Sequence, residues 1–251
     1  MHEETILWHL SNGMTFHGRT LIMTWIVMVV CIIFCLLGVR KLTSGKPGKM
    51  QNLLEFIVDL VDGIAQGNLG SAKARVMMPY LLSLITFIFF SNMFGLLPNF
   101  TFKVFSILGI EHGKLNEIFG GSSLMSPTAD INTTLALALL TFCLIFIMGI
   151  RYKGVHYFKH FLEPTPVFAL IHVIDLISKP MTLAFRLFGN IFAGEILLGV
   201  ILMLPGFFVF AGSFMSAVWL AFSIFIGCIQ SYVFTVLTTA YIAQAAVSEE
   251  H

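Results

Sequence analysis

A chain of 251 residues that is 57% hydrophobic and only 11% charged is too apolar for a water-soluble domain, where about a quarter of residues are charged. Its formal net charge of +1 excludes the strongly basic balance by which nucleic-acid-binding proteins attract phosphate. The four cysteines, Cys31, Cys35, Cys143 and Cys228, lie in apolar segments at spacings that suit no metal site, so they read as small packing residues and no cofactor is expected.

Residues 1–19 are polar, with Glu3 and Glu4, and lack the basic start and short apolar core of a cleavable signal. The first apolar run predicts a span over 20–39, close to the ~20 residues that a bilayer core requires. Arg40, Lys41, Lys46 and Lys49 follow with Gly45, Pro47 and Gly48 among them, a basic turn that belongs in the cytoplasm by the positive-inside rule. The N-terminus is then expected outside.

Residues 50–66 differ. Leu53, Leu54, Ile57, Leu60, Val61 and Ile64 recur at helical spacing, while Glu55, Asp59 and Asp62 fall on the other side. The pattern predicts an amphipathic helix on the cytoplasmic membrane surface, its acidic face solvated or docked on a partner. Lys73 and Arg75 mark the cytoplasmic side again, ahead of a second span over 77–97 that carries Asn92 and ends before Pro98. Residues 99–127 read as an extracytoplasmic loop. A third span over 127–150 has Asp130 and Asn132 in its first turns, where Ser126 or Thr128 can cap. Residues 151–163 carry Arg151, Lys153 and Lys159 and are expected in the cytoplasm.

The last two segments, 165–204 and 207–247, are about 40 residues each. As helix that is roughly 60 Å, against a hydrocarbon core of about 30 Å. They must tilt, kink or fold back as an intramembrane hairpin, with Pro205-Gly206 as the turn. The expected fold is therefore an all-α membrane protein forming one integral-membrane domain over 1–251. It has about five membrane-embedded helices, one cytoplasmic-surface amphipathic helix, and a long, strongly tilted final pair ending in the cytoplasm.

The stretch from Ser178 to Glu195, SKPMTLAFRLFGNIFAGE, carries the chemistry. An Arg deep in hydrocarbon is costly and should face protein or a water-filled cavity. It is effectively never deprotonated, so Arg186 can hold a fixed positive charge but cannot itself carry protons. At 100° per residue, His172, Asp175, Lys179 and Asn190 lie within roughly 40° of Arg186, forming one polar stripe, while Glu195 projects about 180° away. Such a layout suits two half-channels separated by a fixed charge. Glu195 can titrate, and His172 is of a type that changes charge around neutral pH.

Each residue also has a structural reading. Arg186 could pair with Asp175 or Glu195, and Asp175 could simply neutralise Lys179 at i+4. Lys179 can snorkel to the interface. His172 can serve as an interfacial hydrogen-bonding group, Asn190 and Gln230 as helix–helix hydrogen bonds, with Gln230 alternatively a partner of Arg186. Ser223, Asn92, Asp130 and Asn132 give weaker signals.

PMTLAFRLFGNIFAGE (180–195) closely resembles the signature of subunit a of F-type rotary ATP synthases. SPTADINTTLALAL (126–139), MQNLLEFIVDLV (50–61), SNMFGLLP (91–98) and the 230–241 helix extend the resemblance over nearly the whole chain. The resemblance implies that Arg186 faces the ion-binding carboxylate of a rotating c-ring, with Asn190 and Gln230 as its neighbours. It implies that Glu195, Asn92 and Asp130 line a half-channel open to the outside, and that the cytoplasmic exit passes near His172. Relatives often carry Glu near the His172 position and His near Ser223, so the charge pattern differs here. Implied partners are the c-ring, a b-subunit peripheral stalk, the remaining synthase subunits and the lipid bilayer. No phosphate-binding loop of Walker type is present, so the chain is expected to bind no nucleotide and to be no enzyme by itself. A bacterial plasma membrane is the expected location, and H⁺ the expected ion.

Two other classes stand as alternatives beside a Na⁺-translocating version. A stand-alone secondary transporter should show a repeated pair of broken helices, and no internal repeat is visible. A proton-pumping respiratory subunit should carry intramembrane Lys and Glu on several separate helices.

Overall fold

The computed structural model describes residues 7–9, 15–40, 42–43, 45–95, 126–154, 166–202 and 209–246. The side chains of 7–9, 15–16, 166–173, 195, 198–199, 201–202, 209–213 and 216 lie outside that description. So do nearly all of the expected loop at 99–127, the Pro205-Gly206 turn and the C-terminal 247–251. Six α-helices account for most of what is described: α1 (Gly18–Val39), α2 (Lys49–Leu69), α3 (Ser71–Gly95), α4 (Ile131–Lys153), α5 (Pro166–Leu202) and α6 (Val209–Ala246). The fold is that of an all-α membrane protein with one small addition. Strands β1 (Leu7–His9) and β2 (Thr15–His17) pair antiparallel, Leu7 opposite His17. Three-residue strands leave too few positions for a period of two to be legible in sequence.

Helix is the form these apolar segments must take, because lipid offers no partner for backbone N–H and C=O groups. Among the described residues, four stretches are long and apolar enough to cross a membrane: Gly18–Val39, Ser71–Gly95, Ile131–Lys153 and Ala217–Ala246. α1 is the most apolar, and only 17% of its spanning window is buried, against 44% for α3. Trp25, Ile32 and Leu36 stand more than half exposed along it. A face of this kind needs a hydrocarbon solvent.

The helix boundaries differ from the sequence expectation where local chemistry intervenes. α2 and α3 nearly abut. Gly70, at φ 74°, takes the positive-φ conformation that a side chain would strain, and its N–H bonds to Gln66 O, ending α2 before Ser71 starts α3. The third span begins later than Pro127. A 3₁₀ turn, Pro127–Ala129, comes first, capped by the Ser126 hydroxyl, which accepts from Thr128 N–H. Asp130 therefore lies outside α4 rather than in its first turn, and its carboxylate accepts the Asn132 N–H at 2.9 Å, the bond of a helix N-cap.

The chain gathers into two compact units. One comprises Met1–Phe34, Phe87–Thr133 and Phe188–Ile229; the other comprises Cys35–Thr86, Thr134–Leu187 and Gln230–His251. The second holds the larger apolar cluster. Val61, Ala65 and Leu69 of α2 pack with Ala74, Met77, Leu81 and Ile85 of α3, Ile145 and Met148 of α4, and Ile242, Ala245 and Ala246 of α6. The i, i+4, i+8 spacing of the α2 residues explains why that helix lies with one side buried while Glu55 and Asp59 stay exposed. Polar bonds tie the same cluster. Asn68 donates to Thr239 Oγ1 at 3.0 Å, and Tyr80 and Thr141 share a hydrogen bond of 2.7 Å.

Two lysines close the end of α6. Lys73 Nζ donates to Ala246 O at 2.8 Å and Lys153 Nζ to Gln244 O at 3.3 Å. Lys73 also sits over the Tyr152 ring, 4.8 Å from its centroid. These ammonium groups satisfy terminal carbonyls and oppose the negative end of the helix dipole, each contribution being about 0.3–1 kcal/mol. Replacing both by Ala should speed amide exchange in the last turn of α6 several-fold. Lys46→Ala, in the exposed turn before α2, should leave it unchanged; hydrogen exchange by mass spectrometry reads both.

Candidate functional site

Arg186 lies in the middle of α5, a helix of 37 residues. The buried side of this segment is Leu183, Ala184, Leu187 and Ile191, spaced so that they share one face. Arg186 is on the exposed side, next to Phe185, which is 48% exposed, and near the exposed Met181 and Ile177. Among the described residues it has no ion pair and no hydrogen bond. A permanent cation thus projects from the exposed side of the helix, with Thr182 and Asn190 one turn away on either side.

Asp175 does not reach Arg186. It pairs with Lys179 at 2.7 Å, the i+4 neighbour, and is itself 57% exposed. The Lys179 ammonium lies 5.5 Å from the Tyr241 ring centroid. Both groups of that pair are therefore engaged with each other, and Arg186 carries the uncompensated charge of the stripe. Gln230 is buried on α6, and its amide Nε2 has no partner among the described residues. His172 and Glu195 lie within α5 by backbone, and their side chains fall outside the described residues.

Two polar clusters occupy the other unit. In the first, Asn92 of α3 is fully buried. Its amide donates to Gly227 O of α6 at 3.2 Å, and its carbonyl accepts from the Thr128 hydroxyl at 2.9 Å. Ser126 Oγ donates to Ser91 O at 2.7 Å and lies 2.6 Å from Thr128 Oγ1. Asp130 accepts from the Thr20 hydroxyl at 2.8 Å, linking the start of α1 to the start of α4. A buried amide that satisfies both of its ends in this way fixes the register of the helices it joins. Gly227 suits that close approach: a Cβ there would stand 3.1 Å from Met93 Cε and 3.3 Å from Asn92 Cβ, a tight fit.

The second cluster is a small cavity of about 100 Å³ where α5 and α6 run together. Asn190, Gly194, Trp219 and Ser223 line it, with Ile191, Ala193, Phe222 and Ile226. Trp219 Nε1 donates to Gly194 O at 3.2 Å.

The fold thus groups Asn92 with Thr128, places Asp130 against Thr20, and brings Asn190 beside Ser223. It joins neither Asp175 nor Gln230 to Arg186 by a hydrogen bond. Sequence reasoning passed over Thr20, Gly227 and Trp219. The first two are ordinary residues of apolar helices and carry no signal by themselves. Trp219 could have been singled out as an amphipathic ring deep in a span, whose N–H must find an acceptor.

These features define an all-α, multi-pass membrane protein with an unpaired arginine on one of its long helices. The chain belongs to the ATP synthase A chain family, whose model matches residues 21–243. It is 38% identical over 245 residues to ATP synthase subunit a of Desulforamulus reducens, an alignment covering 96% of this chain and 84% of the relative.

Two substitutions test the Asn92 cluster. Asn92→Leu removes the acceptor of the Thr128 hydroxyl and one of the donors to the Gly227 carbonyl, and should cost about 1 kcal/mol, seen as a lower Tm in detergent. Gly227→Ala keeps the wild-type Tm only if Met93 and Asn92 give by a few tenths of an ångström, and a lower Tm shows that they cannot. Gly67→Ala, where a Cβ meets open space inside α2, should raise stability by up to about 1 kcal/mol.

Proposed function

We propose that this chain is the ion-conducting stator subunit of a rotary ATP synthase, and that Arg186 is the charge separating two offset half-channels. The observation that carries the reading is the position of Arg186: exposed on the apolar side of a long membrane helix, with its neighbouring charges already paired to each other. In a bilayer that position demands a partner of opposite charge or water. A ring of small subunits, each bearing a carboxylate, supplies such a partner in turn.

The energetics fit a bond that is made and broken repeatedly. Two unit charges about 4 Å apart in a partly hydrated site attract by on the order of 4 kcal/mol. The membrane potential supplies about 2.3 kcal/mol per charge per 100 mV. The attraction is strong enough to keep a carboxylate ionised beside Arg186 and weak enough for the driving force to displace it. Protons reach the ring from outside past Asn92, Asp130, Ser223, Asn190 and Glu195. They leave to the cytoplasm past His172 and Asp175, while Gln230 lies near the gate. The N-terminus faces outward and the C-terminus the cytoplasm, as the lysines and arginines near 40–49, 73–75 and 151–153 favour. The c-ring, a b-subunit stalk and the remaining subunits are its partners in the plasma membrane. Nucleotide chemistry belongs to those subunits.

The test uses the assembled complex in sealed vesicles. Arg186→Ala should reduce ATP-driven acidification at least a hundredfold, with the complex still assembled. Pumping at the wild-type rate would refute the gate and favour a stand-alone transporter. Pumping that requires Na⁺ would keep the gate and change the ion.

A further inference from the structure

The cavity between α5 and α6 is unusual in how its wall is held. Trp219 is the largest side chain lining it, and its indole N–H donates to the carbonyl of Gly194 on the facing helix. That carbonyl belongs to the residue immediately before Glu195 and one turn beyond Asn190. Ser223, one turn further along α6 from Trp219, is buried, and its hydroxyl makes no hydrogen bond among the described residues. A Cβ built on Gly194 would lie 3.9 Å from Ser223 Oγ, so the two helices approach without touching at this level. At about 100 Å³ the space holds several water molecules, and it has polar groups to bind them in Asn190 and Ser223.

We infer that Trp219 is a positioning residue for ion transfer: its bond to Gly194 keeps the α5–α6 cavity open and hydrated beside Asn190 and Ser223. The inference rests on the stator reading and deepens it. The physical argument is one of alternatives. Without that bond the indole strut is free to swing into the space beside Asn190 and Ser223 and displace its water. With the strut, the indole satisfies its own N–H on a backbone carbonyl and leaves the hydroxyl of Ser223 and the amide of Asn190 free to order water. A hydroxyl and an amide can pass a proton along bound water, a role for which no permanently charged group is needed at this point. Phe222, 5.4 Å from the Trp219 ring centroid to centroid, backs the indole and limits its rotation.

The experiment uses the whole complex in sealed vesicles with Trp219→Phe, which keeps an aromatic ring and removes the N–H, and with Trp219→His, which restores a ring donor. A Ser223→Cys background, with Cys31, Cys35, Cys143 and Cys228 replaced by Ser, reports the cavity through its reaction with aqueous Ag⁺. Trp219→Phe should lower proton flux several-fold, slow Ag⁺ labelling at position 223 by a similar factor, and leave complex assembly intact. Trp219→His should recover part of both. Wild-type flux and labelling in Trp219→Phe would overturn the inference, as would lost flux with unchanged labelling. Arg186→Ala run in parallel separates the two levels. If it pumps normally, the stator reading itself fails and this inference falls with it; if it is blocked while Trp219→Phe is unaffected, only the positioning role is refuted.

Discussion

A guanidinium that cannot lose its proton, set in the middle of an apolar helix, is the constraint on which the proposed chemistry of this protein depends. Leu183, Ala184, Leu187 and Ile191 turn one side of α5 inward, and that packing leaves Arg186 on the outer side. The Asp175–Lys179 pair closes on itself, so the nearest carboxylate of known geometry is unavailable to neutralise Arg186. Among the described residues no carboxylate neutralises Arg186, and in the proposed reading that charge is met by a carboxylate on a moving partner.

Elsewhere among the described residues several polar groups are paired internally. Asn92 exchanges bonds with Thr128 and Gly227, Asp130 with Thr20 and Asn132, and Tyr80 with Thr141. Lipid provides no water to compete for these groups, and leaving one unsatisfied would be expensive. The same residues that would guide an ion therefore also fix helix register. A substitution at Asn92 will report on both roles, and stability has to be measured beside flux before either is assigned.

The ends of the helices follow a related rule. Lys73 and Lys153 occupy carbonyls at the end of α6, the Asp130 carboxylate takes an N–H at the start of α4, and Gly70 lets α2 stop within a residue of α3. Two of the basic residues that the positive-inside rule reads in sequence thus serve as caps.

The sequence by itself determined the all-α membrane class, the helices that carry it and the stretch around Arg186, together with a strong family resemblance. Those features are written in composition, in apolar run length and in the rarity of charge within an apolar run, none of which depends on what packs against what. The start of α4 and the β1–β2 ribbon were not legible, because a 3₁₀ turn at Pro127 and a three-residue pairing are settled by local bonds that leave no period. Nor could helical phase alone decide which polar residues meet. It grouped Asp175 and Asn190 with Arg186 on one stripe. The tertiary structure placed Asn190 beside Ser223 across the α5–α6 cavity and buried Asn92 against Gly227, 135 residues away. Those pairings depend on the approach of one helix to another, set by small residues such as Gly194 and Gly227, and only packing in three dimensions fixes that approach.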